Sequence, residues 1–450
     1  MTDVLTEVTI GPPAHGGHCV ARVDGRVVFV RHTAPGEVVD VRLTEAGEGR
    51  KFWRGDAVVV HEASPDRVPS RWPEAGPGGV GGGELAHLAL PAQRRWKAEV
   101  VRDTLRRIGH LELDLPIVVH ALGEDDARDG LGTRTRIDLV VDGAGRAGMF
   151  RHRSHDVAPL TEMPLAVPAI ADLALFAPGR WEGVPAGTRL DVVAPSARPA
   201  LVLADGRPVD LADPARSLRA AARKADDGAR QVGGGRGGRG RGPRGRGRRP
   251  EQQPARVTVR EQVPSVVGDL AYRVDATGFL QVHRDAPATL VDAVLAAVGA
   301  QPGHRVLDLY SGAGLFTLPL AHAVGESGRV DAVEVNERAV KDARRNLHAA
   351  PQAVLHASGV TAPVLDGLGA DGAVDAVVLD PPRSGAGREV MAALTRLRPR
   401  RLVYVACDPA ALARDLRTAV DDGYDVVALD GYDLFPHTHH VECVAVLEPR

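Results

Sequence analysis

The sequence predicts an α/β protein whose C-terminal part forms a doubly wound, largely parallel sheet. From residue 256 onward, apolar strand-like runs alternate with helical patterns. Within this region, in the stretch 306–317, an apolar run reaches Asp308, breaks at SGAG (311–314) and then resumes as a helical pattern. A strand, a glycine turn and a helix in this order present a nucleotide-like ligand at the carboxyl end of a strand. The first 60 residues differ, because short valine-rich runs there predict a separate β domain.

The bulk composition fits a globular protein of more than one domain. Of 450 residues, 44% are hydrophobic and 25% are charged, which is ordinary for such proteins. No apolar run reaches the length of a membrane span and the first ten residues lack a signal-peptide pattern, so we expect a cytoplasmic protein. The three cysteines, Cys19, Cys407 and Cys443, form no CxxC pair. A zinc or iron–sulfur cage built from cysteine alone is therefore excluded.

Three domains are predicted. Residues 1–62 contain five short valine-rich runs separated by turns, including an Asp24-Gly25 hairpin signal, and predict a small β-barrel of the oligonucleotide-binding kind. Residues 63–255 predict a central α+β domain, with a helix over 94–109 and antiparallel strands that begin at IVVHAL (117–122). Residues 256–450 form the doubly wound domain. Its predicted strands are 305–309, 329–335, 374–379, 401–406, 424–430 and 441–447, and its helices are 286–298, about 314–323, 337–348, about 387–397 and 409–420.

An arginine/glycine-rich segment interrupts the central domain at about 225–255. Its central part, 233–249, carries seven arginines and no acid. Without these seven arginines the chain would have 49 basic and 58 acidic residues, and its net charge would be −9 instead of −2. Such a composition cannot bury a core, so we predict disorder. Two interpretations stay open, either nonspecific binding of RNA phosphates or a linker that drifted in composition.

The glycine turn and a downstream acid predict a cofactor pocket. Gly312 and Gly314 are present, but Thr317 stands where a dinucleotide fingerprint has its third glycine. Glu334 lies twenty residues beyond Gly314, at the end of the next strand, where a carboxylate accepts hydrogen bonds from two ribose hydroxyls. Dinucleotides and S-adenosylmethionine both fit this geometry. The alternative is that Glu334 caps the helix that begins near Asn336.

Three further groups are predicted at the same edge of the sheet. Asp380 ends the third strand and is held rigidly by Pro381 and Pro382, although the same DPP motif occurs in amino-group methylases. Cys407 ends the fourth strand beside a helix start, whose amides offer a route to a lowered thiol pKa. An isolated cysteine there would simply be a small buried hydrophobe. Glu442 precedes the last strand, as either a solvated acid or a base that faces this edge.

A metal site is not expected among the histidines His437, His439 and His440 that precede Glu442. Their spacing defines no single helical face, and no cysteine or carboxylate cage surrounds them. We therefore predict no metal.

The motifs together resemble the RNA uracil-5-methyltransferase family that uses S-adenosylmethionine. The opening segment resembles a TRAM domain, an RNA-binding barrel, through its GxxHGG-like start (11–17) and its PGE (35–37). The resemblance implies that Cys407 is the nucleophile, Glu442 the proton acceptor, and Gln281, Tyr310, Gly312, Glu334 and Asp380 contact the cofactor. The motifs are GFLQVH (278–283), DLYSGAGLFTLPLA (308–321), DPPRSG (380–385), YVACDP (404–409) and THHVE (438–442).

The chemistry that the resemblance implies suits these residue types. C5 of uracil is a poor nucleophile, but a thiolate that adds at C6 turns the ring into an enolate whose C5 can accept a methyl group. The proton left on C5 must then leave before the cysteine is expelled, and a carboxylate can remove it. The target base must also be flipped out of its stack. The expected substrate is a specific uridine in rRNA or tRNA, bound by a monomer.

The sequence departs from the family at several positions. Leu315 stands where relatives often have an asparagine, and His283 replaces a common asparagine after Gln281. Many relatives hold an iron–sulfur cluster on cysteines before the first helix. The matching stretch AGPGGVGGGEL (75–85) has none, and Met163-Pro164 stands where a further cysteine would be, so no cluster is predicted. Two rival functions stay open, an amino-group or cytosine methyltransferase of RNA and a noncatalytic RNA-binding protein.

Overall fold

A computed structural model describes residues 4–221, 223 and 256–450, and three main sheets organise this part of the chain. The arginine/glycine-rich segment, for which we predicted disorder, lies outside the described residues. Among the helices within the described ranges, none is long and apolar enough to cross a membrane.

The N-terminal segment folds into a curled six-stranded sheet. Its strands are β1 (Val4–Thr9), β2 (Pro13–Ala14), β3 (His18–Val23), β4 (Arg26–Arg31), β5 (Val38–Glu45) and β6 (Trp53–Glu62). They pair in the order β1-β5-β6-β4-β3-β2 around a core that includes Cys19, Val28 and Val39. Asp24 and Gly25 both have positive φ and join β3 to β4 as a two-residue hairpin, as predicted.

A second sheet of six antiparallel strands lies in the central part of the chain. Its elements are β8 (Arg136–Val141), β9 (Ala147–Phe150), β10 (Val157–Pro159), α2 (Pro168–Ala171), β11 (Arg189–Val193), β12 (Leu201–Ala204) and β13 (Arg207–Pro208). The strand order is β10-β9-β8-β11-β12-β13. Trp72 and Trp181 are fully buried against this sheet and anchor its own hydrophobic core.

The third sheet has eight strands and confirms the predicted doubly wound class. Its strands are β7 (Val118–His120), β16 (Arg305–Leu309), β17 (Arg329–Glu334), β18 (Ala353–Ala357), β19 (Ala376–Leu379), β20 (Arg401–Ala406), β21 (Tyr424–Tyr432) and β22 (Glu442–Pro449). They pair in the order β18-β17-β16-β19-β20-β22-β21-β7, and only β22 runs antiparallel to its neighbours. A short hairpin of β14 (Thr258–Val263) and β15 (Leu270–Asp275) precedes this sheet.

Helices cover both faces of the eight-stranded sheet. They are α1 (Leu90–Arg107), α3 (Ala286–Val298), α4 (Thr317–Val324), α5 (Glu337–Asn346), α6 (Ala362–Ala370), α7 (Arg388–Arg396) and α8 (Pro409–Asp421). The helices α1, α6, α7 and α8 share one hydrophobic core, and α3, α4 and α5 share the other. Two buried layers leave the carboxyl ends of the parallel strands as the accessible edge.

Two parts of this sheet differ from the sequence prediction. The edge strand β18 and the helix α6 after it were missed, because β18 is half-buried and carries the polar His356, which blurs its apolar run. The IVVHAL run was assigned to the central antiparallel domain, but β7 pairs parallel with β21. The helix α1, from the same predicted domain, packs against α8. The strand β7 has only three residues, which carry too little pattern to identify a partner strand. The division of the chain into domains at residues 62 and 255 remains a prediction.

Candidate active site

Strand register brings four of the expected site residues to one edge of the sheet. Leu309 pairs with Leu379, and Leu379 pairs with Tyr404, so Tyr310 and Asp380 follow neighbouring parallel strands. Ala406 pairs with Cys443 across the antiparallel β20 and β22. Because β22 starts where β20 ends, Glu442 and Cys407 emerge side by side at the same edge.

The turn after β16 has the backbone shape of a ligand cradle. Tyr310, Gly312 and Gly314 have φ values of 61°, 57° and 90°, all in the left-handed region. A Cβ atom on Gly312 would meet no atom within 4 Å, so space is open beside this glycine. The Ser311 hydroxyl is buried and has no hydrogen-bond partner among the described residues. An open turn with an unpaired polar group is suited to receive a ligand.

Glu334 ties this turn to the end of β17. Its carboxylate accepts a hydrogen bond from the Gly312 amide at 2.9 Å and another from the Asn336 amide at 2.6 Å. The N-cap of α5 is Asn336, whose side chain accepts from the amides of Arg338 and Ala339. The alternative that Glu334 caps this helix is therefore wrong, and Glu334 lies beside the glycine turn.

A buried acid that the sequence analysis did not assign lies beneath the turn. Asp308 is 1% exposed, and one of its carboxylate oxygens accepts a hydrogen bond from the hydroxyl of Thr317. Its other oxygen has no partner in the described structure. Burial raises the pKa of Asp308 to about 7, and the charges of Asp380 and Glu334 add to the shift. The sequence feature that could have identified Asp308 is an aspartate inside an otherwise apolar strand, where an acid is unexpected.

Acids also cluster at the carboxyl edge of the eight-stranded sheet. Burial raises the pKa of Asp380 to about 7. Burial raises the pKa of Glu442 well above its usual value, with a further contribution from the charge of Asp380. The guanidinium of Arg383 opposes the shift of Glu442. Burial therefore makes both carboxyl groups harder to ionise than a carboxyl group in water.

The thiol of Cys407 does not have the lowered pKa that we expected. Burial, followed by the charges of Glu442 and Asp380, raises the pKa of Cys407 to about 11, and Arg383 acts in the opposite direction. The expectation failed chiefly because the thiol is buried, and the N-terminus of α8 is also already capped. The Asp408 carboxylate accepts the Ala411 amide at 2.8 Å, so a neighbouring carboxylate takes the place that we had assigned to the thiolate.

The DPPRSG loop that follows Asp380 is fixed by a buried tyrosine–aspartate pair. The Tyr404 hydroxyl donates to the Asp415 carboxylate at 2.6 Å. The same carboxylate accepts the amide of Ala386 at 2.7 Å and that of Gly387. These bonds hold the far end of the loop while Pro381 and Pro382 stiffen its start.

The segment that carries Gln281 is held by the central sheet. Gln281 is buried, and the Thr135 hydroxyl donates to the neighbouring Val282 carbonyl at 2.9 Å. The Arg136 guanidinium donates to the carbonyls of Ala276 and Gly278. The start of β8 therefore fixes the backbone on both sides of Gln281.

His283, one of the positions that departs from the family, is fully buried beside acids. Its Nε2 lies 3.0 Å from the Asp125 carboxylate, and its Nδ1 accepts the Asp285 amide at 3.0 Å. Asp125, His283 and Asp285 form a cluster of the residue types that ligate metals. Both ring nitrogens are engaged within the protein, so the imidazole offers no free lone pair to an ion. The absence of a metal remains a prediction.

The histidines before Glu442 lie in the β21–β22 loop. The metal-type cluster found among the described residues does not include them. Burial lowers the pKa of His437 to about 4 and that of His440 to about 3. His437 instead makes hydrogen bonds that fix the loop, and His439 lies 3.5 Å from the Glu84 carboxylate.

The N-terminal sheet reaches the same edge of the eight-stranded sheet through the loop between β2 and β3. The His15 imidazole lies 3.6 Å from the carboxylate of Asp408, the residue after Cys407. A Cβ atom on Gly17, which has a φ of 78°, would collide with Glu84 and crowd His439. This close approach explains the glycine at position 17, and the contact of this loop with the edge of the eight-stranded sheet was not visible from the sequence.

Asp308→Asn is expected to stabilise the ligand-free protein at pH 8. The folded-state pKa of Asp308 is about 7 and its ordinary value is 3.8, so its contribution to stability is present at low pH and is lost as the pH rises from about 4 to 7. The asparagine removes this loss, which is on the order of 2–4 kcal/mol. Urea unfolding at pH 5 and pH 8 measures the effect. The exposed Asp269→Asn is the control, and a variant that is less stable than the wild type at pH 8 would contradict the assignment.

Three family models match the chain. The TRAM domain matches residues 6–58. The methyltransferase small domain matches residues 284–401. The tRNA (uracil-5-)-methyltransferase model matches residues 368–450, which include Asp380, Cys407 and Glu442.

Curated relatives match the chain over nearly its whole length. An uncharacterized RNA methyltransferase of Streptomyces avermitilis is 41% identical and covers 98% of both chains. The 23S rRNA (uracil(1939)-C(5))-methyltransferase RlmD of Methylococcus capsulatus is 33% identical and covers 97% of this chain and 95% of its own length.

A solved structure shares the fold. The tRNA (uracil-54, C5)-methyltransferase of Pyrococcus abyssi, solved with S-adenosyl-L-homocysteine, has a TM-score of 0.63 and 21% identity, and covers 98% of this chain and 99% of its own. The described geometry, the family models and the full-length relatives agree with one another. This chain belongs to the S-adenosylmethionine-dependent RNA (uracil-5-)-methyltransferase family, with an N-terminal TRAM domain.

Proposed function

We propose that this enzyme methylates C5 of a specific uridine through a covalent bond between Cys407 and C6 of the base, with Glu442 as the base that removes the C5 proton. The observation that carries the proposal is the pairing of Ala406 with Cys443, which sets Cys407 and Glu442 side by side at the carboxyl edge of the sheet. A nucleophile and a base on adjacent strand ends can act on neighbouring atoms of one pyrimidine ring.

The residues at the glycine turn fit S-adenosylmethionine. The open space beside Gly312, the unpaired oxygen of Asp308 and the unpaired Ser311 hydroxyl all offer places for a polar ligand. We propose that Gln281, Tyr310, Gly312, Glu334 and Asp380 hold it. When bound, S-adenosylmethionine would supply the methyl group that C5 accepts, and the electron pair of its S–CH₃ bond would stay on the sulfur. Leu315 supplies no side-chain hydrogen bond to this ligand, and its carbonyl accepts the hydroxyl of Tyr272 at 2.9 Å.

The two proposed catalytic groups act in sequence. The Cys407 sulfur adds to C6, and the electron pair of the C5–C6 bond becomes available at C5 for the new C–CH₃ bond. Glu442 then takes the C5 proton, and the electron pair of that C–H bond reforms the C5–C6 double bond as the C6–S bond breaks. Because Cys407 and Glu442 both have raised pKa values in the ligand-free protein, activity is expected to rise with pH as both groups lose their protons.

For the substrate, we propose a uridine in 23S rRNA. The support is the Methylococcus capsulatus relative, which is named for uracil 1939 of 23S rRNA and aligns along nearly the whole of both chains. Transfer RNA is the alternative substrate. The cytoplasmic location and the monomeric state remain predictions from the sequence.

Comparison of RNA from strains with and without the gene tests this proposal. The 23S rRNA and tRNA fractions are digested to nucleosides, and 5-methyluridine is measured by mass spectrometry. We expect one 5-methyluridine to disappear from 23S rRNA and to return when the purified protein and S-adenosylmethionine are added. Loss from tRNA alone would overturn the choice of RNA. A methyl group on cytosine or on an exocyclic amine would overturn uridine as the target.

A further inference from the structure

A buried ion pair joins α1 to the loop between β21 and β22. The Lys97 ammonium donates to the Asp433 carboxylate at 2.5 Å, and their side chains are 0% and 1% exposed. The same ammonium donates to the Phe435 carbonyl at 3.0 Å. The loop 433–441 ends directly before Glu442, so α1 is bonded to the chain segment that delivers this residue.

Gln93, one turn earlier on α1, fixes the next part of the loop. Its side-chain carbonyl accepts the His437 amide at 2.7 Å, and its Nε2 lies 3.2 Å from Nδ1 of His437. The opposite ring nitrogen, Nε2 of His437, lies 2.7 Å from the Asp129 carbonyl. A single neutral tautomer satisfies both contacts, since Nδ1 accepts and Nε2 donates.

The polar contacts of Lys97 and Gln93 with the loop 433–441 fix the loop backbone as well as packing against it. An apolar pair of similar volume often stabilises a core as well as or better than a buried ion pair, because burying two charges is expensive. Lys97 and Gln93 instead bond the loop backbone, at the Phe435 carbonyl and at the His437 amide. His437 has a φ of 68°, and its carbonyl accepts the Leu85 amide at 2.9 Å. The loop is thus fixed in a backbone conformation that non-glycine residues rarely adopt.

We propose that Gln93 and Lys97 are positioning residues, which hold the loop 433–441 so that the Glu442 carboxylate meets the C5 proton of the base bound to Cys407. This inference rests on the proposed function. It predicts a defect in one step, because Cys407 is delivered by β20 and does not depend on this loop. Proton removal is expected to slow while the addition of Cys407 to C6 continues.

The test compares two variants with the wild type. Lys97→Met combined with Asp433→Leu removes both charges and the bond to the Phe435 carbonyl, while it keeps an apolar contact. Gln93→Met keeps the side-chain volume and removes the bonds to the His437 amide, to Nδ1 of His437 and to the Leu88 carbonyl. Arg102→Met, on the exposed face of the same helix, is the matched control. Thermal unfolding verifies that each variant is folded.

Two rates are measured at saturating S-adenosylmethionine. The first is tritium release from RNA labelled at C5 of uridine, which reports proton removal. The second is covalent complex formation with RNA that carries 5-fluorouridine, which needs Cys407 but cannot lose a C5 proton. We expect tritium release to slow at least about tenfold, since misplacing a catalytic group by about 1 Å costs up to about 10²-fold. The rate of complex formation is expected to change less than about twofold, and the control less than about twofold in both assays.

Several outcomes overturn the inference. Unchanged tritium release in either folded variant shows that the contact does not position Glu442. Equal slowing of both rates shows a general disturbance of the site. If the double variant does not fold, Gln93→Met decides the matter alone, and its failure to fold as well shows a structural role. If the wild type forms no complex with 5-fluorouridine RNA, the proposed function itself fails.

Discussion

Cys407→Ala is expected to lower the rate of 5-methyluridine formation by at least about 10³-fold, because removal of a covalent nucleophile leaves only binding and orientation. Without the sulfur, no bond to C6 forms and C5 stays a poor nucleophile. Cys407 is only partly buried, so we expect the variant to fold and to retain its affinity for RNA. Transfer of labelled methyl groups to RNA at saturating S-adenosylmethionine measures the effect.

Cys19→Ala is the matched control for this loss. Cys19 is fully buried in the core of the N-terminal sheet. Its removal is expected to lower stability slightly and to leave the methylation rate within about a factor of two. If Cys407→Ala retained the same activity as Cys19→Ala, covalent catalysis by Cys407 would be excluded.

Glu442→Gln is expected to leave the enzyme covalently bound to its RNA substrate. The amide cannot take the C5 proton, so methyl transfer proceeds once and the methylated base stays bonded to Cys407. Turnover is expected to fall by about 10²–10⁴-fold, the usual contribution of a general base. A band of protein joined to ordinary RNA, with the methyl label inside it, is expected on a denaturing gel.

Glu448→Gln is the control, because Glu448 lies at the opposite end of the same strand and pairs with Arg401. It is expected to turn over normally and to show no such band. A Glu442→Gln enzyme that loses turnover without any accumulated complex would show that Glu442 acts before the methyl transfer. Normal turnover in this variant would assign proton removal to another group.

The buried elements of the sheet were predictable from the sequence. The strands 305–309 and 401–406 and the helix 286–298 have the predicted bounds, because their apolar runs are sharply interrupted by polar or turn residues. The edge strand β18 was missed since pairing on one side leaves its residues half-buried, with no clear apolar run. The strand β7 was assigned to the wrong sheet, because the choice of a partner depends on how α1 packs.

The expected site residues were found together because parallel strands end at one edge and local motifs mark those ends. The long-range side-chain pairs that fix the loops of the site were not predictable from the sequence. Lys97 and Asp433 lie 336 residues apart, and neither carries a local signal of the other. The direction of the Cys407 pKa shift was predicted wrongly for a similar reason, since it depends on burial and then on Glu442 and Asp380 as neighbours in space.

A bond between the sulfur of Cys407 and C6 of the target uridine is the proposed intermediate on which the mechanism depends. The most direct measurement incubates the enzyme with S-adenosylmethionine and a substrate RNA that carries 5-fluorouridine, followed by mass spectrometry of the complex and of its peptides. Fluorine cannot leave C5 as a cation, so we expect a stable complex with the mass of protein, RNA and one methyl group, joined at Cys407, and no complex with Cys407→Ser. A methylated RNA released without any bond to the protein, or a bond at another residue, would exclude Cys407 as the nucleophile.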